Sequence, residues 1–197
     1  MEWAAGVPGT VGGAVRGNAG AFGESVSDSL VSVEVYRNGE ILEISNQDCE
    51  FGYRESIFKH SDDIVLSAKF KLRLGDKAEV MKKVQENISY RFGRFPAYAC
   101  AGSFFKNLPL AVWPGDKKDL PEKFLQVGKI GVAWLIDQCG LKGYTVGGAK
   151  VSDEHANFII NFNHATQADV LAVVEHVKSE VYNKYEIELE EEVQIVE

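Results

Sequence analysis

Apolar and polar residues alternate along Val31-Ser32-Val33-Glu34-Val35-Tyr36, which predicts a strand over 31–36 with one buried face. Arg37-Asn38-Gly39-Glu40 is a turn signal, so Ile41-Leu42-Glu43-Ile44 is expected to pair back as a hairpin. The run Ile64 to Leu72 predicts a third strand. Between Lys77 and Arg91 the apolar residues Val80, Met81, Val84 and Ile88 recur at helical spacing. A stretch rich in Pro and Gly follows from Gly93 to Gly115, and a domain boundary is placed near Gly93. Beyond it, residues 132–139 predict a helix stopped by Gly140, and Phe158-Ile159-Ile160-Asn161-Phe162 predicts a buried strand. Thr166 is suited to cap a helix from Gln167 to about Tyr182, with Val170, Leu171, Val174, Val177 and Val181 as its apolar face. Ile187-Glu188-Leu189 and Val193-Gln194-Ile195-Val196 are expected to form a last strand. Strands first and mixed units afterwards predict an α+β protein.

Composition narrows the chemistry. The 197 residues suffice for one large or two small domains with a real core. The net charge of −8 argues against a general binder of nucleic acid or anionic membrane, so any anionic ligand must be held by local groups. Cys49, Cys100 and Cys139 form no close pair, which suits a reducing cytosol better than a disulfide framework or zinc site. No apolar run is long enough to span a membrane, and the N-terminus lacks the pattern of a signal peptide. The chain runs almost at once into a glycine-rich loop, and this abrupt opening reads as if a segment upstream were missing.

That loop, Gly6-Val7-Pro8-Gly9-Thr10-Val11-Gly12-Gly13-Ala14 with Gly17-Asn18-Ala19-Gly20-Ala21 after it, has the composition of an anion nest. It matches neither a P-loop nor a GxGxxG fingerprint, and a set of tight turns would account for it equally well. Arg54 sits among aromatics in Phe51-Gly52-Tyr53-Arg54 and could grip a carboxylate or phosphate, or simply pack. Ser103, in Gly102-Ser103-Phe104-Phe105-Lys106-Asn107, lacks the context of a hydrolase nucleophile. Its hydroxyl could relay a proton, or only shape a turn. In Glu190-Glu191-Glu192 strand alternation puts Glu190 and Glu192 on one face and Glu191 on the other, unless the run is a solvated edge. His60, His155, His164 and His176 show no metal-ligand spacing, and no metal site is expected.

The order of the motifs says more than any one of them. GVPGTVGGAVRGNAGAFG, FGYRESIFK, AGSFFKN, AWLIDQCGLKGYTVGGAKVSDEHANFIIN and IELEEEV occur in sequence, and the chain from Gly6 to Val196 resembles the UDP-N-acetylenolpyruvoylglucosamine reductase (MurB) family. The resemblance implies that residues 1–92 are the second part of a vanillyl-alcohol-oxidase-type FAD-binding domain, the first subdomain being absent. It implies that residues 93–197 are an α+β substrate-binding domain. The short stretch between Tyr53 and Ser103 lacks the insertion carrying a substrate-covering tyrosine loop, as in the second, loop-less subtype.

It further implies an oxidoreductase of peptidoglycan synthesis, and hence of cell-wall biogenesis, cell shape and division. With FAD and NADPH as cofactors it would reduce UDP-N-acetylglucosamine enolpyruvate to UDP-N-acetylmuramate. Arg54, Ser103 and Glu192 would be catalytic: Arg54 on the substrate carboxylate, Ser103 as proton donor to C2, Glu192 stabilising the enol. Pro8, Gly9, Thr10, Gly12, Gly13, Asn18, Ala19 and Gly20 would bind the flavin. Tyr53, Arg94, Asn107 and His155 would bind substrate, with Arg94 slightly close to Ser103 in sequence and Gln194 where arginine is frequent. The implied setting is a cytoplasmic monomer without nucleic acid or membrane partners, completed by a separate N-terminal FAD subdomain. Without that subdomain the chain is expected to bind FAD poorly. The alternatives are a non-catalytic sugar-nucleotide or flavin-binding fragment, and another flavin oxidase, which would not need the Arg54–Ser103–Glu192 set.

Overall fold

A computed structural model describes residues 1–196. It has two compact units, Met1–Phe92 and the residues from Gly93 on.

In the first unit a short helix α1 (Val11–Arg16) is capped by Thr10, whose Oγ1 accepts from the Gly13 amide at 3.1 Å. A two-residue ribbon, β1 (Gly20–Ala21) and β2 (Glu24–Ser25), leads into the sheet of β3 (Leu30–Arg37), β4 (Glu40–Ser45) and β5 (Ile64–Phe70). The antiparallel order is β4-β3-β5, with bulges between β3 and β5. At the β3–β4 turn both Asn38 (φ 50°) and Gly39 (φ 93°) are left-handed, as the twist of a tight hairpin demands. The alternation in β3 does its work: Val33 and Val35 are fully buried with Trp3, Val15, Val26 and Phe58.

Helix α2 (Lys77–Arg91) begins at Asp76, whose Oδ1 accepts from the Ala78 and Glu79 amides at 2.9 and 3.0 Å. Its helical spacing was legible, yet none of its residues is buried. Polar contacts tie it down instead: Asn87 donates to the Glu2 carbonyl, and Arg91 donates to the carbonyls of Trp3 and Ala5.

The second unit contains β6 (Cys100–Ser103), β7 (Leu108–Pro109), α3 (Glu122–Val127), β8 (Lys129–Ile130), α4 (Val132–Gln138), β9 (Thr145–Val146), β10 (Ala149–Val151), β11 (Phe158–Asn161) and α5 (Gln167–Tyr185). The main sheet is antiparallel in the order β6-β11-β10-β9, and β7 pairs with β8. Phe158, Ile159 and Ile160 are all buried, which explains the unbroken apolar run of β11. Thr166 and Asp169 form a reciprocal capping box at the start of α5, and Val173, Val174, Val177 and Val181 bury its inner face. Asp169 also accepts from the Gly148 amide at 3.3 Å, fastening the helix start to the β9–β10 turn.

The C-terminal strand expected from 187–189 and 193–196 does not form. Ile187 and Leu189 are buried in alternation, but the segment is extended and makes only one isolated bridge, Glu191 with Phe105. Alternation reports which side chains are buried, not whether a full partner edge is available. Helix α5 runs on to Tyr185 and stops at Glu186, which is left-handed (φ 56°).

Candidate functional site

Two sequence segments flagged for chemistry are sewn together in the first unit. Asn18 is buried, and its Nδ2 donates to the Gly52 carbonyl at 2.8 Å while its Oδ1 accepts from the Ser27 amide at 3.1 Å. Arg54 donates through Nη2 to the Gly20 carbonyl at 2.9 Å, and the buried Ser56 hydroxyl donates to the Arg16 carbonyl at 2.7 Å. The glycine-rich segment and the turn bearing Tyr53 and Arg54 are therefore one structural object. Arg54 adopts φ 57°, a conformation uncommon for a residue with a Cβ, and its guanidinium lies 5.3 Å from the Tyr53 ring centroid. Such strain persists only where surrounding contacts enforce it, and the hydrogen bonds above do so.

Asn18→Ala should lose both side-chain bonds, strip the Ser27 amide of this acceptor while the Gly52 carbonyl keeps the Glu55 amide at 3.3 Å, and put alanine at φ 40°. A loss of about 2 kcal/mol of stability is expected, read by denaturant titration. Asn18→Gly loses the same bonds but escapes the strain of φ 40°, so it should lose less, and equal losses would contradict this account.

The glycines divide by cause. A Cβ on Gly20 would lie 2.5 Å from the Glu24 carbonyl oxygen, so the ribbon itself requires that glycine. At Gly12 a Cβ would make ordinary contact with Val65 at 3.7 Å, and at Gly13 it would lie 3.4 Å from Thr10 Oγ1. Neither position needs glycine for packing, yet each costs about 1 kcal/mol against alanine inside a helix. Gly9 has φ 131° and open space beside it. An exposed loop of small residues that forgoes stability leaves its backbone amides open to close approach by a ligand. Gly9, Thr10 and Gly12 leave such room, whereas Pro8 has no amide hydrogen and the Gly13 amide already donates to Thr10 Oγ1 at 3.1 Å. Asn18, Ala19 and Gly20 are engaged within the fold, Ala19 through its amide to the Ala14 carbonyl at 2.8 Å.

In the second unit Ser103 ends β6, opposite Phe158 of β11. In-register partners on an antiparallel pair point to the same face, so the Ser103 hydroxyl shares a side of the sheet with the Phe158 ring. That ring contacts Phe95, with centroids 5.2 Å apart, and His155, at 4.7 Å. The next residue, Phe104, accepts through its carbonyl from the Glu192 amide at 2.8 Å. Ser103 and Glu192 are thereby placed at adjoining points of two neighbouring chain segments. The flanking carboxylates are paired: Glu190 with Lys106 at 2.5 Å and Glu191 with Lys178 at 2.8 Å. Burial opposes ionisation of Glu191, but the Lys178 ammonium and a backbone donor outweigh it and hold the carboxyl below its usual range. Lys178 is raised, first by its hydrogen bond to Glu191. The Glu191–Lys178 contribution is accordingly lost as pH falls through the lowered carboxyl value, or rises through the raised ammonium value.

His155 is pushed down by burial, and its Nδ1 accepts from the Asn157 amide at 3.3 Å, so a neutral ring suits the site. Asn107 accepts from the Val132 amide at 3.1 Å and so caps the start of α4, while its side chain stays at the surface. Arg94 and Gln194 are exposed. Two residues not singled out from sequence, Ser56 and Asn157, are buried polar groups inside flagged motifs. A polar residue between apolar neighbours, as in Ala156-Asn157-Phe158, was the available signal. No cluster of residues suited to a metal ion occurs among the described residues, and no helix among them is long and apolar enough to cross a membrane.

Comparison with known proteins adds an independent line. A family model described as "UDP-N-acetylenolpyruvoylglucosamine reductase, C-terminal domain" matches residues 95–196. Proteins named UDP-N-acetylenolpyruvoylglucosamine reductase are similar along the whole chain. That of Solibacter usitatus is 39% identical, covering 100% of this chain and 64% of its own length. That of Caldanaerobacter subterraneus is 41% identical, with 100% and 59% covered. The crystal structure of UDP-N-acetylenolpyruvylglucosamine reductase (MurB) from Thermus caldophilus superposes with a TM-score of 0.77 at 34% identity, over 98% of this chain and 62% of that one. The chain spans about 60% of the length of the curated relatives it matches.

Proposed function

Since this chain belongs to the UDP-N-acetylenolpyruvoylglucosamine reductase family, we propose that it carries the substrate-reducing machinery of such an enzyme. Its reaction is reduction of UDP-N-acetylglucosamine enolpyruvate to UDP-N-acetylmuramate in peptidoglycan synthesis. Residues 1–92 would serve the flavin and residues 93–197 the substrate. FAD, when bound, would supply hydride chemistry at C3 of the enolpyruvyl group, with NADPH as the source of the hydride. Gly9, Thr10 and Gly12 would hold the cofactor with their backbone, Pro8 and Gly13 would frame that stretch, and Asn18, Ala19 and Gly20 would fix the shape of the loop.

The chain's own residues account for the rest. Hydride addition at C3 pushes negative charge through C2 into the carboxylate. Arg54, kept in a strained conformation by the loop it binds, is suited to hold that carboxylate by a charge-assisted contact. Glu192 would stabilise the enol, and Ser103 would deliver a proton to C2. Tyr53, Arg94, Asn107 and His155 would position the remainder of the substrate. The observation that supports this reading best is the 2.8 Å bond from the Glu192 amide to the Phe104 carbonyl, which joins the backbone at Glu192 to the residue that follows Ser103.

The test is to reduce an FAD-loaded reductase containing these residues with NADPH, without oxygen, and then add the enolpyruvyl substrate. Substrate should reoxidise the flavin and appear as UDP-N-acetylmuramate. Arg54→Ala should slow that step by about 10²–10³-fold, the usual cost of one preorganised donor. Reoxidation independent of the enolpyruvyl substrate would sink the proposal.

A further inference from the structure

Asn157 is 3% exposed, and its side-chain amide is spent entirely on one neighbour. Its Oδ1 accepts from the Phe105 amide at 3.0 Å, and its Nδ2 donates to the Phe105 carbonyl at 2.8 Å. Its own backbone carbonyl accepts from the Phe104 amide at 2.7 Å. Asn157 thus behaves as a short surrogate strand along one side of Phe104–Phe105. On the other side the C-terminal segment is attached: the Lys106 amide to the Glu190 carbonyl at 2.9 Å, the Glu192 amide to the Phe104 carbonyl at 2.8 Å, and the Phe105–Glu191 bridge. The Ser103 side and the Glu192 side are therefore joined through two residues of backbone that Asn157 clamps. Gly102, inside β6, is left-handed at φ 86° where the β6–β11 register shifts, so the ladder is irregular just before Ser103.

Resting on the reductase reading, we infer that Asn157 is the positioning residue that sets the proton donor Ser103 against Glu192. It touches neither substrate nor cofactor. It fixes the register in which the two catalytic side chains meet C2 of the enolate. Deleting its amide leaves a buried N–H and C=O of Phe105 unpaired, and the segment can relieve them only by shifting. A shift near 1 Å at reacting groups slows a step by about 10²-fold.

The test uses the FAD-loaded reductase with Asn157→Asp and Asn157→Ala. The Asp variant is nearly isosteric: burial against the Phe105 carbonyl favours its protonated form, which accepts from the Phe105 amide and donates its O–H to that carbonyl, so it guards against simple unfolding. Stopped-flow absorbance should show flavin reduction by NADPH unchanged in both. Reoxidation by substrate should slow by about 10–10²-fold, more in the Ala variant. The solvent deuterium isotope effect on reoxidation should grow, because a misplaced donor makes proton delivery limiting. Amide exchange at Phe105 should rise in Asn157→Ala and less in Asn157→Asp. Equal slowing of both half-reactions, or slower reoxidation with an unchanged isotope effect, would overturn the inference and leave Asn157 a fold residue. If the unmodified protein is not reoxidised by substrate at all, the reductase reading itself fails, which these variants cannot mimic.

Discussion

Ser103→Ala in the FAD-loaded reductase is expected to spare flavin reduction by NADPH and to slow reoxidation by substrate about 10²–10⁴-fold. Hydride arrival at C3 leaves an enolate that cannot become product until C2 gains a proton. Reduction by NADPH comes before that requirement and should be indifferent to the hydroxyl. The serine lies at the end of β6 beside a segment held on both sides, so removal of one oxygen should not disturb the backbone. Ser103→Cys should retain part of the activity, because a thiol still donates. Stopped-flow absorbance resolves the two halves. Equal slowing of both would mean that Ser103 shapes the cleft and does not deliver the proton.

Gly148→Ala is expected to have the largest effect on stability, with no chemistry involved. A Cβ there would lie 2.1 Å from the Asn163 carbonyl oxygen and 2.5 Å from the Ala165 amide nitrogen. Both obstacles are backbone. The Gly148 carbonyl also accepts from the Phe162 and Asn163 amides, so the two segments cannot part without losing those bonds. A cost of about 4 kcal/mol follows, above the ordinary 1–3 kcal/mol of overpacking. At roughly 2–4 °C per kcal/mol for a chain of this size, the melting temperature should fall on the order of 10 °C. Gly128→Ala is the comparison: its φ is 74° but a Cβ meets nothing within 4 Å, so only backbone strain of about 1 kcal/mol applies. A similar loss in both variants would show that the close approach at Gly148 relaxes easily.

Local signals in the sequence were reliable where the decisive partner lies nearby. Thr166 as a cap, the helical spacing from Lys77 to Arg91 and the Asn38-Gly39 turn are each set within a few residues, and each is in place. The order of the chemistry-bearing motifs made the family legible and with it the α+β fold. What escaped depends on distant partners. Gly12 and Gly20 look alike in sequence, yet only Gly20 is demanded by a clash, and the obstructing atom belongs to Glu24. The last strand failed because Ile187 and Leu189 report burial, while the pairing edge beside Phe104–Lys106 is only a few residues long. The strain at Arg54 is invisible in its residue type, since arginine carries no signal for left-handed backbone.

The stitches between the glycine-rich loop and the Tyr53–Arg54 turn also have an evolutionary meaning. Each uses a side chain on one strand of chain and a main-chain carbonyl on the other: Asn18 to Gly52, Arg54 to Gly20, Ser56 to Arg16. A carbonyl exists whatever residue bears it, so the acceptor positions do not have to keep their identity for the bond to survive. Arg16 is free to drift as far as Ser56 is concerned, whereas Ser56 has no such licence. Covariation between the two ends of each stitch should therefore be weak even though they touch. A search for coupled substitutions would overlook this part of the molecule, and a scan of single substitutions would find it at once.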